Sequence, residues 1–215
     1  AEKSDFKRYL HSDIDWNERM TGITGARGTG KTTLILQHIR NNFPDRNKAV
    51  YVSLDNLWLS KNSLLDFAER FSVYGGTHLF IDEVHKYPNW SLELKNVYDN
   101  YPDLKTVFTG SSILEIYKSD ADLSRRAVKY ELHGLSFREY LSLEKIIDLP
   151  VLPLNEILSN HIDIADDIRN KIKVIPLFKQ YLKNGYYPIY KEGIRNYFTK
   201  ITNIINTTLE KDLPS

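Results

Sequence analysis

Short apolar runs alternate with longer amphipathic stretches through the first 150 residues of this 215-residue chain. Gly22-Ile23-Thr24, Ala49 to Leu54, His78 to Ile81, Thr106 to Thr109 and Ala127 to Leu132 are the runs, and each predicts a strand. Between them apolar positions recur at helical spacing, which predicts helices over 32–41, 64–71, 90–98 and 137–143. Strands that are apolar on both faces and separated by helices predict an α/β fold with a mainly parallel five-stranded sheet flanked by helices. Pro150 and Pro153 then punctuate the chain, so the reading sets a core at 1–150 and a second region at 151–215. The second region is helical throughout. Ile157, Ile162, Ile168, Ile172, Phe178, Leu182, Tyr197, Ile201 and Ile205 are its expected buried positions, and it is read as a small helical lid.

The turn after the first run carries chemistry. Gly25-Ala26-Arg27-Gly28-Thr29-Gly30-Lys31-Thr32-Thr33 fits the G-x-x-x-x-G-K-[ST] pattern, the Walker A loop, and stands where that pattern requires, between a strand and an amphipathic helix. Such a loop turns its N–H groups inward around phosphates, and the helix N-terminus adds positive charge. Lys31 is read as the β- and γ-phosphate ligand, and Thr32 as a Mg²⁺ ligand. Arg27 has three readings: a phosphate contact, a contact to a neighbouring subunit, or a solvated side chain.

Asp82 and Glu83 end the third run, in the form of a Walker B element. Asp82 is expected to hold the Mg²⁺ shell, and Glu83 to accept the proton of the water that attacks the γ-phosphate. The fourth run leads into Thr109, Gly110, Ser111 and Ser112. If that strand lies between the first and the third, Thr109 and Ser111 border the γ-phosphate; alternatively Ser111 or Ser112 caps a helix from Ile113. Arg125 and Arg126 precede the fifth run, and either is a candidate to stabilise charge at a neighbour's γ-phosphate or at the chain's own.

Composition removes other classes. With no cysteine, thiolate zinc sites and thiol nucleophiles are excluded. The 29 basic and 28 acidic residues give no global field that marks nucleic acid as a partner. The six histidines show no H-E-x-x-H pairing, and His85 is read as a second-layer or surface residue after the acidic pair. No window approaches the roughly 18 apolar residues of a membrane span, so a cytoplasmic protein without a membrane partner is expected. Ala1 at the start and a helical-looking segment stopped at Pro214 suggest a piece of a longer protein.

These motifs resemble the prokaryotic AAA+ P-loop ATPases that carry an N-terminal ATPase domain, a winged helix and often a restriction-endonuclease-like C-terminal domain. The resemblance rests on Gly25 to Thr33, Phe80 to Trp90, Phe108 to Ser112, Asp122 to Ala127, Gly134 to Leu141 and Tyr181 to Pro188. It implies ATP and Mg²⁺ as ligands, Gly25 to Thr33 with Thr109 and Ser111 around the nucleotide, Thr32 and Asp82 at the metal, and Lys31, Glu83 and Arg126 in hydrolysis. It also implies a homo-oligomer as one reading of Arg126, and DNA as a partner only through a missing C-terminal domain. Arg125 stands where the family shows glycine, and Gly185-Tyr186-Tyr187-Pro188 replaces its Gly-Gly-Tyr-Pro, so which guanidinium reaches the nucleotide stays open. An ATP-bound conformational switch with negligible turnover is the alternative reading. A small-molecule kinase fits less well, because Glu83 beside Asp82 suits water activation.

Overall fold

The computed structural model describes residues 6–55, 62–111 and 123–212. Ser112, one of the two proposed caps, lies outside them. By contacts the chain divides into two compact units, Lys7–His133 with the segment from Lys200 onward, and Gly134–Thr199.

The first unit contains, in chain order, α1 (Leu10–Asp13), β1 (Met20–Thr24), α2 (Lys31–Asn42), β2 (Ala49–Ser53), α3 (Leu64–Val73), β3 (His78–Asp82), α4 (Trp90–Asn100), β4 (Lys105–Gly110) and β5 (Val128–Glu131). The sheet order is β2-β3-β4-β1-β5 and every pairing is parallel, with Thr24 opposite both Gly110 and Glu131, and Ser53 opposite Asp82. β4 is therefore inserted between β1 and β3, the condition on which the reading of Thr109 and Ser111 depended. Strand C-termini gather at one edge of the sheet, where ligands bind in open α/β folds.

Alternation along the strands sorts the core into two layers. Leu79, Ile81, Phe108 and Met20 face α3 and α4 through Leu64, Ala68, Trp90, Leu94 and Val97. Phe80, Val107 and Ile23 face α2 through Leu34, Ile35 and Ile39. Burial on both faces is why these strands read as near-continuous apolar runs. α3 begins at Ser63, whose hydroxyl accepts from the Asp66 N–H and satisfies one of the orphan donors of the first turn.

On the α2 side the core includes polar rings. His38 stacks on Trp16 at 3.7 Å between ring centroids, near His11, Phe43 and Phe80. Burial, followed by the charges of His11, His78 and Lys7, pushes the His38 pKa down to about 4. His78, beside Phe43, is pushed down to about 4 by burial and then by Lys105. Both rings take up a proton near the ordinary 6.5 when unfolded and only near 4 when folded. Their contribution to stability is thus complete above 6.5 and is lost as pH falls toward 4. The melting temperature is expected to fall through that window, and less steeply in His38→Phe; profiles of equal slope for wild type and variant would remove His38 from the account.

The second unit holds α5 (Phe137–Leu143), α6 (Leu154–Lys171) and α7 (Val174–Gln180), and α8 (Tyr197–Thr207) begins within it. Ser136 and Glu139 cap α5 reciprocally. α5 packs ring on ring against the later segment, Phe137 with Phe178 and Tyr181, and Tyr140 with Tyr181 and Tyr190. Tyr181 donates to Leu135 O at 2.7 Å, and Tyr190 donates to Glu144. This aromatic packing groups α5 with the helices after the prolines, so the division by contacts falls at Gly134. Of the nine expected buried positions of the helical region, only Tyr197 is buried. Ile157, Ile162, Phe178, Leu182 and Ile205 are exposed, and α6 and α7 bury none of their residues.

Candidate active site

The loop 25–30 leaves β1 at the C-terminal edge and runs directly into α2. Its sharp reversal needs glycine: Gly25 has φ +146° and Gly28 φ +83°, and a Cβ on Gly25 would lie 2.2 Å from Leu132 O. Thr29, buried, closes the loop through its hydroxyl, which donates to Ala26 O at 2.9 Å. The Lys31 amine is buried and donates inward to Gly25 O at 2.7 Å and Ala26 O at 3.0 Å. Thr33 lies exposed on the first turn of α2.

Thr32 points from the same turn at β3. Its hydroxyl donates to Asp82 Oδ2 at 2.6 Å, so the two proposed metal ligands are already in contact. Tyr51, on β2, donates to the same oxygen at 2.8 Å. Burial first, and then the bond to Asp82, raise the Tyr51 pKa, which keeps the phenol protonated as a donor. On the other oxygen, Oδ1, the Thr109 hydroxyl and the Glu83 N–H donate. Four donors from β2, β3, β4 and α2 fix the Asp82 carboxylate.

Immediately after β3 the chain turns sharply. Glu83 is in the left-handed region at φ +56°, ψ 42°, which costs a non-glycine residue roughly 1–2 kcal/mol. Its N–H offsets this by donating to Asp82 Oδ1 at 3.1 Å and Thr109 Oγ1 at 3.3 Å. The turn brings the Glu83 carboxylate to β4, where Ser111 Oγ donates to Oε1 at 3.2 Å. It also folds the 3₁₀ turn Val84–Lys86 over the strand end, with His85 Nε2 3.4 Å from Glu83 Oε2. Arg27, half-buried, places Nη2 3.4 Å from that same ring nitrogen.

The structure therefore brings Gly25, Ala26, Arg27, Gly28, Thr29, Gly30, Lys31, Thr32, Asp82, Glu83, Thr109 and Ser111 to one sheet edge. Arg126 is not among them. It precedes β5, at the opposite edge, where Nε meets Asp99 Oδ1 at 3.0 Å and Nη2 meets Oδ2 at 3.0 Å. The Arg126 hydrogen bond holds the Asp99 carboxyl below its ordinary range. Arg125 is exposed.

His85, read from sequence as a second-layer or surface residue, stands beside Glu83 with its side chain 6% exposed. Two further residues of this edge are not singled out by the motifs. Tyr51 reads in sequence as an apolar strand position. Arg8, buried ahead of β1, donates to Thr29 O at 2.8 Å and His133 O at 2.7 Å, and so ties the loop to the end of β5.

Glycine-lined reversal, buried amine and paired hydroxyl and carboxylate suit a nucleoside triphosphate with a divalent cation: Gly25 leaves no room for a Cβ, and Thr32 and Asp82 present hard oxygen donors. Fold and site together define a P-loop nucleotide-binding α/β domain. A family profile for an AAA domain matches residues 17–141, and the chain belongs to that family. It is 31% identical to the uncharacterized protein MJ1637 of Methanocaldococcus jannaschii, over 98% of this chain and 46% of that protein, so it spans about half the length of this relative. Among solved structures it is similar to the Walker-type ATPase PABY2304 of Pyrococcus abyssi, at 15% identity and a TM-score of 0.50, over 96% of this chain and 75% of that one. It also aligns with AMPPCP-bound DnaA from Aquifex aeolicus, at 15% identity and a TM-score of 0.47, over 93% and 64% of the two chains. Among the described residues no helix is long and apolar enough to cross a membrane.

Proposed function

We propose that this chain binds ATP with Mg²⁺ and hydrolyses it, and that the energy or signal passes to a region beyond residue 215. The observation that carries the reading is the convergence of Lys31, the Thr32–Asp82 pair and the Ser111–Glu83 pair at one sheet edge. In this reading the loop N–H groups and Lys31 bind the phosphates, and Thr32 and Asp82 hold the metal shell. Bound Mg²⁺ would supply charge neutralisation at the phosphate oxygens. Glu83 takes a proton from the attacking water at a carboxylate oxygen, and Ser111 and Thr109 orient that water and the γ-phosphate.

Residues 151–215 act as a helical lid in the same proposal. A winged helix and a nuclease-like domain would follow, with DNA as a partner of those regions only, and the supply of ATP places the reaction in the cytoplasm. Arg126 serves a neighbouring copy rather than its own nucleotide, consistent with its place at the far edge of the sheet.

The alternative is an ATP-held conformational switch with negligible turnover. Glu83→Gln separates the two. Hydrolysis predicts that the variant retains ATP·Mg²⁺ while phosphate release falls by about a hundredfold, since an amide fills the same space and cannot take the proton. Equal slow release from both proteins would favour the switch.

A further inference from the structure

We propose that His85 is a positioning residue for Glu83, holding one oxygen of its carboxylate through a protonated Nε2 while Ser111 holds the other. This rests on the hydrolysis reading of Glu83.

The ring's tautomer follows from its neighbours. A backbone N–H only donates, and the Ser111 N–H donates to His85 Nδ1 at 3.4 Å. In a neutral imidazole the proton then sits on Nε2. That nitrogen faces Glu83 Oε2 at 3.4 Å, and Oε2 is a buried oxygen with no hydrogen bond of ordinary geometry. Lys86 Nζ is farther, at 3.9 Å, and is engaged with Asp55 at 3.3 Å. The His85 side chain is 6% exposed against 38% for Lys86, so the imidazole is the fixed neighbour and the ammonium the mobile one.

Ser111 thus acts twice. Its hydroxyl donates to Glu83 Oε1, and its N–H sets the tautomer that aims a second donor at Oε2. In this proposal the carboxylate is gripped at both oxygens by two elements, β4's end and the 3₁₀ turn, neither of which belongs to the phosphate loop. Arg27 Nη2 also meets Nε2, at 3.4 Å, so the proposed proton on Nε2 requires the guanidinium to yield that nitrogen to Glu83. In this proposal the ring orients Glu83. Hydrogen bonds of this kind are commonly long before substrate arrives and tighten in the reacting complex.

Histidine-selective NMR on the full chain without nucleotide should show His85 protonated at Nε2 and bare at Nδ1, with its resonances displaced by Glu83→Gln. In turnover assays His85→Ala should lower kcat about tenfold, the effect of one charge-assisted hydrogen bond made in the transition state. Its ATP affinity should stay within about twofold, because in this reading phosphate binding is carried by the loop N–H groups and Lys31 rather than by the ring. His85→Gln, whose amide nitrogen stands near the place of Nε2, should recover most of the rate. His85→Asn, which matches Nδ1, should not. In a Glu83→Gln background the His85→Ala loss should vanish. A proton on Nδ1, unchanged kcat in His85→Ala, equal rescue by Asn and Gln, or an undiminished loss in the Glu83→Gln background would each overturn the proposal. If the wild type releases no phosphate but Nε2 is protonated and responds to Glu83→Gln, the hydrolysis reading fails and the grip on Glu83 stands.

Discussion

Lys31→Ala is expected to weaken ATP binding by about a thousandfold, measured by calorimetry, with little change in the melting temperature. Removing one partner of a buried, hydrogen-bonded charge pair costs about 2–5 kcal/mol, and about 4 kcal/mol, within that range, is three decades in affinity. The fold tolerates the loss for a specific reason. The amine donates to Gly25 O and Ala26 O, two carbonyls of the loop, and neither core layer includes it. In the proposed complex the Nζ hydrogen bonds turn from loop carbonyls to phosphate oxygens. An ATP affinity unchanged in a folded Lys31→Ala protein would show that the loop does not cradle the phosphates.

The parallel sheet was legible because burial on both faces leaves an unusual trace, near-continuous apolar strands such as His78 to Ile81 interleaved with helices. The loop Gly25 to Thr32 was legible because its glycines answer a local demand, the left-handed turns, that sequence states directly. Asp82 and Thr109 followed from strand ends, and their meeting depended on β4 being inserted between β1 and β3. What sequence did not disclose arises from contacts distant along the chain. Arg8 reaches Thr29 and His133 from a segment with no pattern of its own. Tyr51 joins Asp82 only because β2 and β3 pair in register, Ser53 opposite Asp82. His85 faces Glu83 only because Glu83 adopts a conformation that its residue type does not favour.

The helical region shows the opposite failure. Apolar periodicity along 157–172 is genuine, and it predicts a buried face. Period alone names the face, not its partner, and Ile157 and Ile162 lie exposed among the described residues. α5, in contrast, finds its partners in Phe178, Tyr181 and Tyr190.

Arg126→Ala is expected to reduce ATP turnover about a thousandfold in the full-length protein at concentrations where copies associate, and Arg125→Ala to leave it near wild type. The structure gives the reason to look between copies. β1 and β5 run parallel with Thr21 opposite Val128, so Arg126 lies level with the start of β1 while the phosphate loop leaves its end. A strand's length of backbone, roughly 16 Å at about 3.3 Å per residue, separates Arg126 from the level at which the phosphate loop begins. At its own edge the guanidinium is held by Asp99 and lies 5.9 Å from the Tyr98 ring centroid. Asp99 is 42% exposed at this pair, and exposed ion pairs are screened by solvent, so exchanging Asp99 for a neighbour's phosphate meets little resistance. Wild-type turnover should rise with protein concentration, and the rise should be absent in Arg126→Ala while ATP affinity is retained. Asp99→Asn, which loosens the resting pair, should leave the concentration dependence in place. Turnover independent of concentration, with both arginine variants at wild-type rate, would identify Arg126 as a brace between α4 and β5 and nothing more.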